Sequence, residues 1–133
     1  MTEILNEKLN EIILLDKSDY FHLLAESTSD IAFILNDQGN FVYGNKVFLN
    51  QLHYKQEELQ GKHFFEFIEE NSKPKVSNSF QKIISTKTAV KFETEIVPKV
   101  GIEQLYEITL TPIFNNDQLN ALVGVGPNLG KVK

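Results

Sequence analysis

The sequence predicts an α+β domain built on one antiparallel sheet, and the order of its hydrophobic patterns is the main reason. Two short apolar runs separated by a turn come first, several short helical patterns follow, and three strand patterns joined by short turns come last. Strands with short connections pair antiparallel, and the long helical connection returns the first pair to the same sheet. We therefore expect a five-stranded antiparallel sheet with helices on one face.

The composition fits one globular domain and argues against several classes of partner. The chain has 133 residues, of which 41% are hydrophobic and 23% charged. Its net charge is −5 and no basic stripe is present, so nucleic acid is not an expected partner. Because no leader pattern and no run of ~20 apolar residues occurs, we expect a cytoplasmic protein with no membrane span in this segment.

Residues 3–15, "EILNEKLNEIILL", predict an amphipathic helix, because their apolar side chains recur at helical spacing opposite Glu, Asn and Lys. Residues 1–18 are therefore assigned to an N-terminal helix. Its apolar face either covers the domain's own sheet or forms a dimer contact. The dimerisation candidates are Leu5, Leu9, Ile12 and Ile13. A second short helix through "YFHLLAES" has Ser18 as its expected N-cap.

A β-hairpin is predicted next. The runs "DIAFIL" and "NFVYG" flank the turn-rich "NDQG", which places strands over 31–35 and 41–44. Asn45 stands between the second strand and a helical pattern that starts at Val47. It could be a helix cap, a ligand-binding group or a catalytic amide. The N-cap is the leading interpretation, because an asparagine side chain accepts a hydrogen bond from a free N–H of a first turn.

Glycine and proline delimit the helices that follow. Gly61 is a natural C-cap, and Pro74 suits the first turn of a helix over 74–86. On this helix four apolar side chains are expected to face the core: Val76, Phe80, Ile83 and Ile84.

Three strands are predicted in the last third of the chain: "AVKFETEIV", "EQLYEITLTP" and "LNALVGVG". We expect the second to end at Pro112, because proline cannot donate to a strand ladder. The alternation places Glu93, Glu95 and Glu107 opposite the apolar face. That placement argues against a small α+β enzyme, which would need a carboxylate or histidine pointing into its pocket.

No strong catalytic or metal-binding pattern is present in the sequence. Cysteine is absent, which excludes disulfides and thiolate ligands. His22, His53 and His63 are scattered without metal-ligand spacing, so no metal site is expected. No nucleophile elbow, P-loop or paired-glycine fingerprint occurs, and "GVG" is a weak match with no helix after it. We therefore expect a non-catalytic domain.

From about Tyr20 to Gly126 the chain resembles the PAS domain family, especially the S-box type of bacterial sensor proteins. The resemblance is carried by "YFHLLAESTSDIAFILNDQGNFVYGN", then "VFLNQLHYKQEELQGK", then "YEITLTPIFNND" followed by "LVGVG". The ordered set at these spacings is the specific signal. It implies a PAS fold over residues 19–127 with strand order 2-1-5-4-3, and a C-terminal tail or linker at 128–133.

Two departures from the family pattern stand out. His53 occupies a position where the family usually has glycine. Asn128, Leu129 and Gly130 replace the closing Asp-Ile-Thr that usually starts a signalling helix. Pro127 and Gly130 both disfavour a helix, which argues against output through a C-terminal coiled coil.

The resemblance implies a sensor that holds a small molecule, or a change in packing, between sheet and helices and passes the change to a flanking helix. The ten phenylalanines are either a core packed with rings or an aromatic face for a planar ligand such as a flavin. The pocket candidates are Phe33, Asn45, Phe48, Phe67, Phe80, Ile84, Phe92, Ile108 and Val123.

Family cofactors can be compared with the residue types. Members with a flavin adduct or a thioester-linked chromophore need a cysteine, and this chain has none. Haem-binding members take a histidine from the helix before the third strand, and residues 74–86 contain no histidine. No cofactor is therefore expected. The leading hypothesis is a homodimeric signalling module that binds a small ligand or none and acts on an output domain, such as a histidine kinase or a cyclic-dinucleotide enzyme. A ligand-free protein-interaction domain is the alternative, and a small enzyme is less favoured.

Overall fold

One antiparallel sheet organises the fold. The structure, a computed structural model, describes residues 17–131. Five of its strands are β1 (Ile31–Asn36), β2 (Phe41–Gly44), β3 (Val90–Ile96), β4 (Gln104–Asn115) and β5 (Gln118–Gly126). They lie in the spatial order β2-β1-β5-β4-β3, and every neighbouring pair is antiparallel. The predicted α+β class and strand order are confirmed.

The predicted helix over residues 3–15 lies outside the described residues, together with the dimerisation candidates Leu5, Leu9, Ile12 and Ile13. The described chain starts with α1 (Lys17–Glu26), which precedes β1.

The remaining helices form the crossover from β2 to β3. They are α2 (Lys46–Leu52), α3 (Gln56–Leu59), two 3-10 turns (Phe64–Phe67 and Glu70–Ser72) and α4 (Lys73–Thr86). Gly61 adopts a φ of 79° just after α3, and Pro74 lies in the first turn of α4. Both positions agree with the sequence signals, because glycine tolerates positive φ and proline lacks an N–H that a first turn leaves unpaired anyway.

The two faces of the sheet differ in what covers them. Ile31, Phe33 and Leu35 of β1 are buried in one apolar core with side chains of the crossover helices. Ala32 and Ile34 alternate with them and therefore point to the opposite, outer face. The crossover helices therefore cover one face of the sheet, as predicted, while α1 lies on the other face beside Ala32.

Strand β4 continues past Pro112, where the sequence predicted its end. Its pairing with β3 stops at Leu110, which lies opposite Val90, whereas its pairing with β5 continues to Asn115. Pro112 therefore lies where β4 has one neighbour only, and a proline is tolerated at such an edge because the missing N–H is not needed there. The prediction failed because the sequence does not show the register in which β3 pairs with β4.

A sixth strand, β6 (Asn128–Lys131), was not predicted as a strand. It pairs antiparallel with the first residues of β4, Gln104 to Tyr106. Between β5 and β6 the carbonyl of Pro127 accepts a hydrogen bond from the Glu107 N–H at 3.2 Å. Gly126 packs so closely on β4 that a Cβ would lie 1.6 Å from the Glu107 oxygen. The strand forms through this pairing, because its own sequence, "NLGK", has little strand character.

The outer edge of β2 is closed by the crossover. The Phe41 N–H donates to the Lys62 carbonyl at 2.8 Å, and the Gly61 N–H donates to the Phe41 carbonyl at 2.9 Å. Further along, the side-chain amide of Gln56 accepts from the Gly44 N–H and donates to the Gly44 carbonyl, each at 2.8 Å. The amide thus bonds to β2 as a neighbouring strand would.

Candidate functional site

The interior between sheet and helices is filled by a cluster of phenylalanine rings. Phe33 stacks on Phe64, with ring centroids 5.0 Å apart and planes 19° apart. The centroids of Phe41 and Phe48 lie 5.7 Å and 5.8 Å from that of Phe33, at inclined angles. All four side chains are buried. Stacked and edge-on contacts at these distances are favourable aromatic geometries.

Gly124 of β5 forms the floor beneath Phe33. A Cβ at this position would lie 2.3 Å from the Phe33 Cζ, which is too close for any real contact. The ring therefore rests directly on the strand backbone. Phe33 occupies the space between sheet and helices in which a ligand was expected.

Most of the other pocket candidates belong to the same core. Phe67, Phe92 and Ile108 are buried in it. Phe80 on α4 is partly buried, and its ring is parallel to that of Phe64 at 6.2 Å. The structure thus brings these predicted residues together as packing partners.

Two candidates lie elsewhere. Ile84 was expected to face the core, but 59% of its surface is exposed. Val76 and Ile83 lie seven residues apart on the buried side of α4. Ile84 follows Ile83 and is therefore about 100° further round the helix, towards solvent. Val123 is on the outer face of the sheet, because its β5 neighbours Leu122 and Gly124 face the core.

An apolar groove lies on the outer face of the sheet, between α1 and the strands. Its volume is about 320 Å³. The side chain of Leu24 on α1 forms one wall and is 51% exposed, while its neighbour Leu23 is 63% exposed. We call this feature the outer groove; it is lined by Leu24, Ala25, Thr28, Ala32, Thr111, Ile113, Val123 and Val125.

Asn45 is fully buried at the start of α2, and its side chain makes four hydrogen bonds. Its Oδ1 accepts from the N–H groups of Phe48 (2.9 Å) and Ala32 (3.0 Å). Its Nδ2 donates to the carbonyls of Ala25 (2.8 Å) and Asp30 (3.0 Å). The helix cap predicted from the sequence is present, and the same amide also holds the end of α1 and the start of β1.

A second polar contact joins α1 to the domain. The Glu26 carboxylate accepts from the Tyr43 hydroxyl with one oxygen and from the Lys46 N–H at 3.2 Å with the other. The His22 ring stacks on Tyr43 with centroids 4.1 Å apart. Burial, followed by the hydrogen bond to Glu26 and the charge of Glu26, raises the pKa of Tyr43 to about 12. Tyr43 is therefore held in its neutral, donating form.

A third polar cluster lies where β6 meets α2. The buried Tyr106 hydroxyl donates to the Gln51 Oε1 at 2.8 Å. The Asn128 Nδ2 donates to the Tyr106 oxygen at 3.2 Å and to the Gln104 Oε1 at 3.3 Å. Burial raises the pKa of Tyr106 to about 12, against the opposing effect of Asn128. This cluster attaches the last strand to a helix of the crossover.

The family model of the PAS fold matches residues 25–125, which is more than half of the chain. The chain belongs to the PAS fold family. PAS domains are sensory, non-catalytic modules that commonly mediate signalling interactions, so the prediction that the domain itself is not an enzyme is confirmed. No curated protein sequence matches the chain closely enough to count as a relative.

Solved PAS structures share the fold at low sequence identity. A PAS domain from Colwellia psychrerythraea is 16% identical, with a TM-score of 0.74 over 86% of this chain and 98% of that one. The PAS domain of a two-component sensor histidine kinase is 18% identical, with a TM-score of 0.65 over 84% and 96%. The PAS domain of the fruit-fly ELK potassium channel is 17% identical, with a TM-score of 0.70 over 87% and 99%. These likenesses show the fold alone.

Two further properties hold for the part of this PAS domain that the structure describes. No three His, Cys, Asp or Glu side chains among residues 17–131 lie together in a way that could hold a metal ion. None of the helices in the same range has both the length and the apolar character that a membrane crossing requires.

Sequence reasoning missed several functional candidates of this PAS domain. Phe41 and Phe64 complete the ring cluster, and Phe41 could have been identified as the large apolar residue that opens the predicted strand "FVYG". Glu26, Gln51 and Asn128 could not have been found this way. Their partners are 17 to 77 residues away in the chain, and no local pattern encodes such contacts.

Proposed function

We propose that this PAS domain is a cytoplasmic signalling module that relays a change at α1 and the outer face to an output domain outside this chain, such as a histidine kinase or a cyclic-dinucleotide enzyme. One observation carries the proposal. The last turn of α1 is hydrogen-bonded into the domain through Asn45 and Glu26, whereas Leu24 of the same helix lines the outer groove and remains half exposed. Because α1 is hydrogen-bonded to the core and exposes an apolar side chain, a partner that binds at the outer groove could shift α1 and, through these bonds, the core.

The partner that we propose at the outer groove is a second copy of the chain. The groove is lined almost entirely by apolar groups, and Val42 on the same sheet is also exposed, so association would remove apolar surface from water. The N-terminal candidates Leu5, Leu9, Ile12 and Ile13 precede α1 in the sequence, and we propose that they take part in the same association.

A ligand-free interior is the second part of the proposal, and the ring cluster supports it. Phe33 rests on Gly124 and contacts three other rings, so a ligand between sheet and helices would have to displace it. We therefore propose that the domain binds no cofactor there and that its input is a contact rather than a small molecule.

Native mass spectrometry of the full chain tests both parts. We expect the mass of two chains without added compound, and no visible absorption band. Leu24→Asp and Val125→Asp should each produce the single-chain mass, because a carboxylate in an apolar contact is strongly unfavourable. Val100→Asp is the matched control, since Val100 is 60% exposed in the β3–β4 turn, outside the groove.

Each part can fail separately. A single-chain mass for the wild type, or dimers that persist in both groove variants, would overturn the proposed dimer surface. A bound compound in the purified protein would overturn the ligand-free interior.

A further inference from the structure

Helix α2 is attached to both flanks of the domain by side chains. At its first turn, Asn45 bonds to the Ala25 carbonyl of α1, and Glu26 of α1 accepts from the Lys46 N–H. At its last turn, the Gln51 Oε1 accepts from the Tyr106 hydroxyl at 2.8 Å and from the Asn128 Nδ2 at 3.4 Å. The segment before the domain and the strand at its end therefore hold the same helix.

The geometry of α2 suits the transmission of a displacement. The helix has seven residues, so it is about 10 Å long. Phe48 and Leu52 on its inner side are fully buried in the core. Hydrogen bonds between successive turns join the two ends of such a short helix, and the close-packed interior around its buried side transmits strain.

We propose that α2 couples the two flanks, so that loosening α1 at Glu26 also loosens β6 at Asn128, and the reverse. Coupling between two sites is reciprocal by thermodynamic necessity, so both directions must be observed. The use of this coupling in signalling rests on the proposed function, whereas the coupling itself is a property of the single chain.

A competing route through the sheet has to be separated from this one. The first residue of β1, Ile31, pairs with Gly126 of β5, which lies two residues before Asn128. That contact also joins the two flanks, but through backbone hydrogen bonds. The Gln51 side chain is exposed and bonds to Tyr106, and it takes no part in the backbone pairing of Ile31 with Gly126. Replacing Gln51 therefore interrupts the connection through α2 and leaves the connection through the sheet intact.

Amide hydrogen exchange followed by NMR on the full chain tests the proposal. The Gly130 N–H donates to the Asn128 Oδ1 at 2.6 Å and reports on the C-terminal flank. The Lys46 N–H donates to the Glu26 carboxylate of α1 at 3.2 Å and reports on the N-terminal one. We expect Glu26→Ala to raise the exchange rate of the Gly130 N–H at least threefold, and Asn128→Ala to raise that of the Lys46 N–H by a similar factor. Exchange at Leu110, in the middle of the sheet, corrects for any global loss of stability.

Two further variants complete the test. In a Gln51→Leu background, adding Glu26→Ala should not raise the exchange rate of the Gly130 N–H any further. Glu57→Ala, which removes an exposed carboxylate from α3, should leave Gly130 unchanged. The proposal would be overturned if Glu26→Ala left the exchange rate of the Gly130 N–H unchanged. It would also be overturned if Glu26→Ala raised that rate by the same factor in the Gln51→Leu background. Because the mass of the wild-type dimer does not enter this measurement, the coupling and the proposed function can fail independently.

Discussion

Asn45 contributes far more than a helix cap. A cap alone is typically worth about 1 kcal/mol, whereas this buried amide satisfies four backbone groups on α1, β1 and α2. We expect Asn45→Ala to lower the free energy of unfolding by about 3 kcal/mol or more, because each buried group left unpaired costs roughly 1–3 kcal/mol. Urea denaturation measures the loss.

Asn50 provides the control for this change. It is exposed on the same helix, where alanine is the better helix former, so Asn50→Ala should leave the stability within about 0.5 kcal/mol of wild type. A loss of only about 1 kcal/mol in Asn45→Ala would mean that the other three bonds contribute nothing measurable.

The contact between Phe33 and Gly124 can be tested at the same scale. Gly124→Ala should destabilise the domain by about 1–3 kcal/mol, because the added methyl group overlaps the ring and the neighbouring rings prevent it from moving. Adding Phe33→Leu should recover part of this loss, since leucine is smaller where the overlap occurs. Thermal or urea unfolding of both single variants and the double variant measures the interaction, and strictly additive effects would contradict it.

At the scale of elements, α1 and β6 are each joined to the domain by a tyrosine hydroxyl. Tyr43 donates to Glu26 of α1, and Tyr106 donates to Gln51 while accepting from Asn128 of β6. The pKa of each is raised to about 12 from the ordinary value of 10.0. Both contacts therefore depend on a neutral phenol and are lost when the phenol ionises.

The sign of the pH dependence follows directly. Between pH 10 and 12 the unfolded chain loses these two protons while the folded chain keeps them, so stability is complete below pH 10 and falls as the pH rises towards 12. We expect an ultraviolet phenolate titration of the folded chain to show late ionisation of Tyr43 and Tyr106, together with Tyr54, whose pKa is also raised by burial and by the charge of Glu58. Tyr43→Phe and Tyr106→Phe should each remove one of them and make the alkaline loss of stability shallower. Ionisation of all tyrosines near pH 10 in the folded protein would contradict the assignment.

For the whole molecule, much of the fold could be predicted because it is encoded locally. The hairpin strands around "NDQG", the cap at Asn45 and the helix start at Pro74 all depend on neighbouring residues, and the structure has them where they were expected. Strand order followed from the resemblance to a known family and is confirmed.

The parts that could not be predicted depend on distant contacts. Strand β6 exists because β4 offers an unpaired edge, and Pro112 is tolerated because β3 stops short of it. Ile84 is exposed because α4 packs on the core through the side that carries Val76 and Ile83. Helical spacing alone did not show whether Ile83 or Ile84 would be at the centre of that side. The polar attachments of α1 and β6 join residues far apart in sequence, which pattern reading does not detect.

The two faces of the sheet differ in whether they leave space for a binding partner. Aromatic rings fill the inner side, where a ligand was expected, and an apolar groove remains on the outer side beside α1. For this reason the proposed function rests on an external contact rather than on a small molecule held between sheet and helices. Polar groups at the two ends of α2 bond to α1 and to Tyr106, which also contacts β6 through Asn128.

The closed edge of β2 also limits how the protein can associate. Exposed strand edges attract other chains through backbone hydrogen bonds, which are the same for every sequence and lead to indiscriminate aggregation. Here the Gln56 amide and residues 61–62 already bond to the backbone groups of β2 at Gly44 and Phe41. A second chain gains little by adding a strand at those positions. At this edge, association would therefore have to use side chains rather than backbone groups, and that requirement would make it selective for a complementary surface.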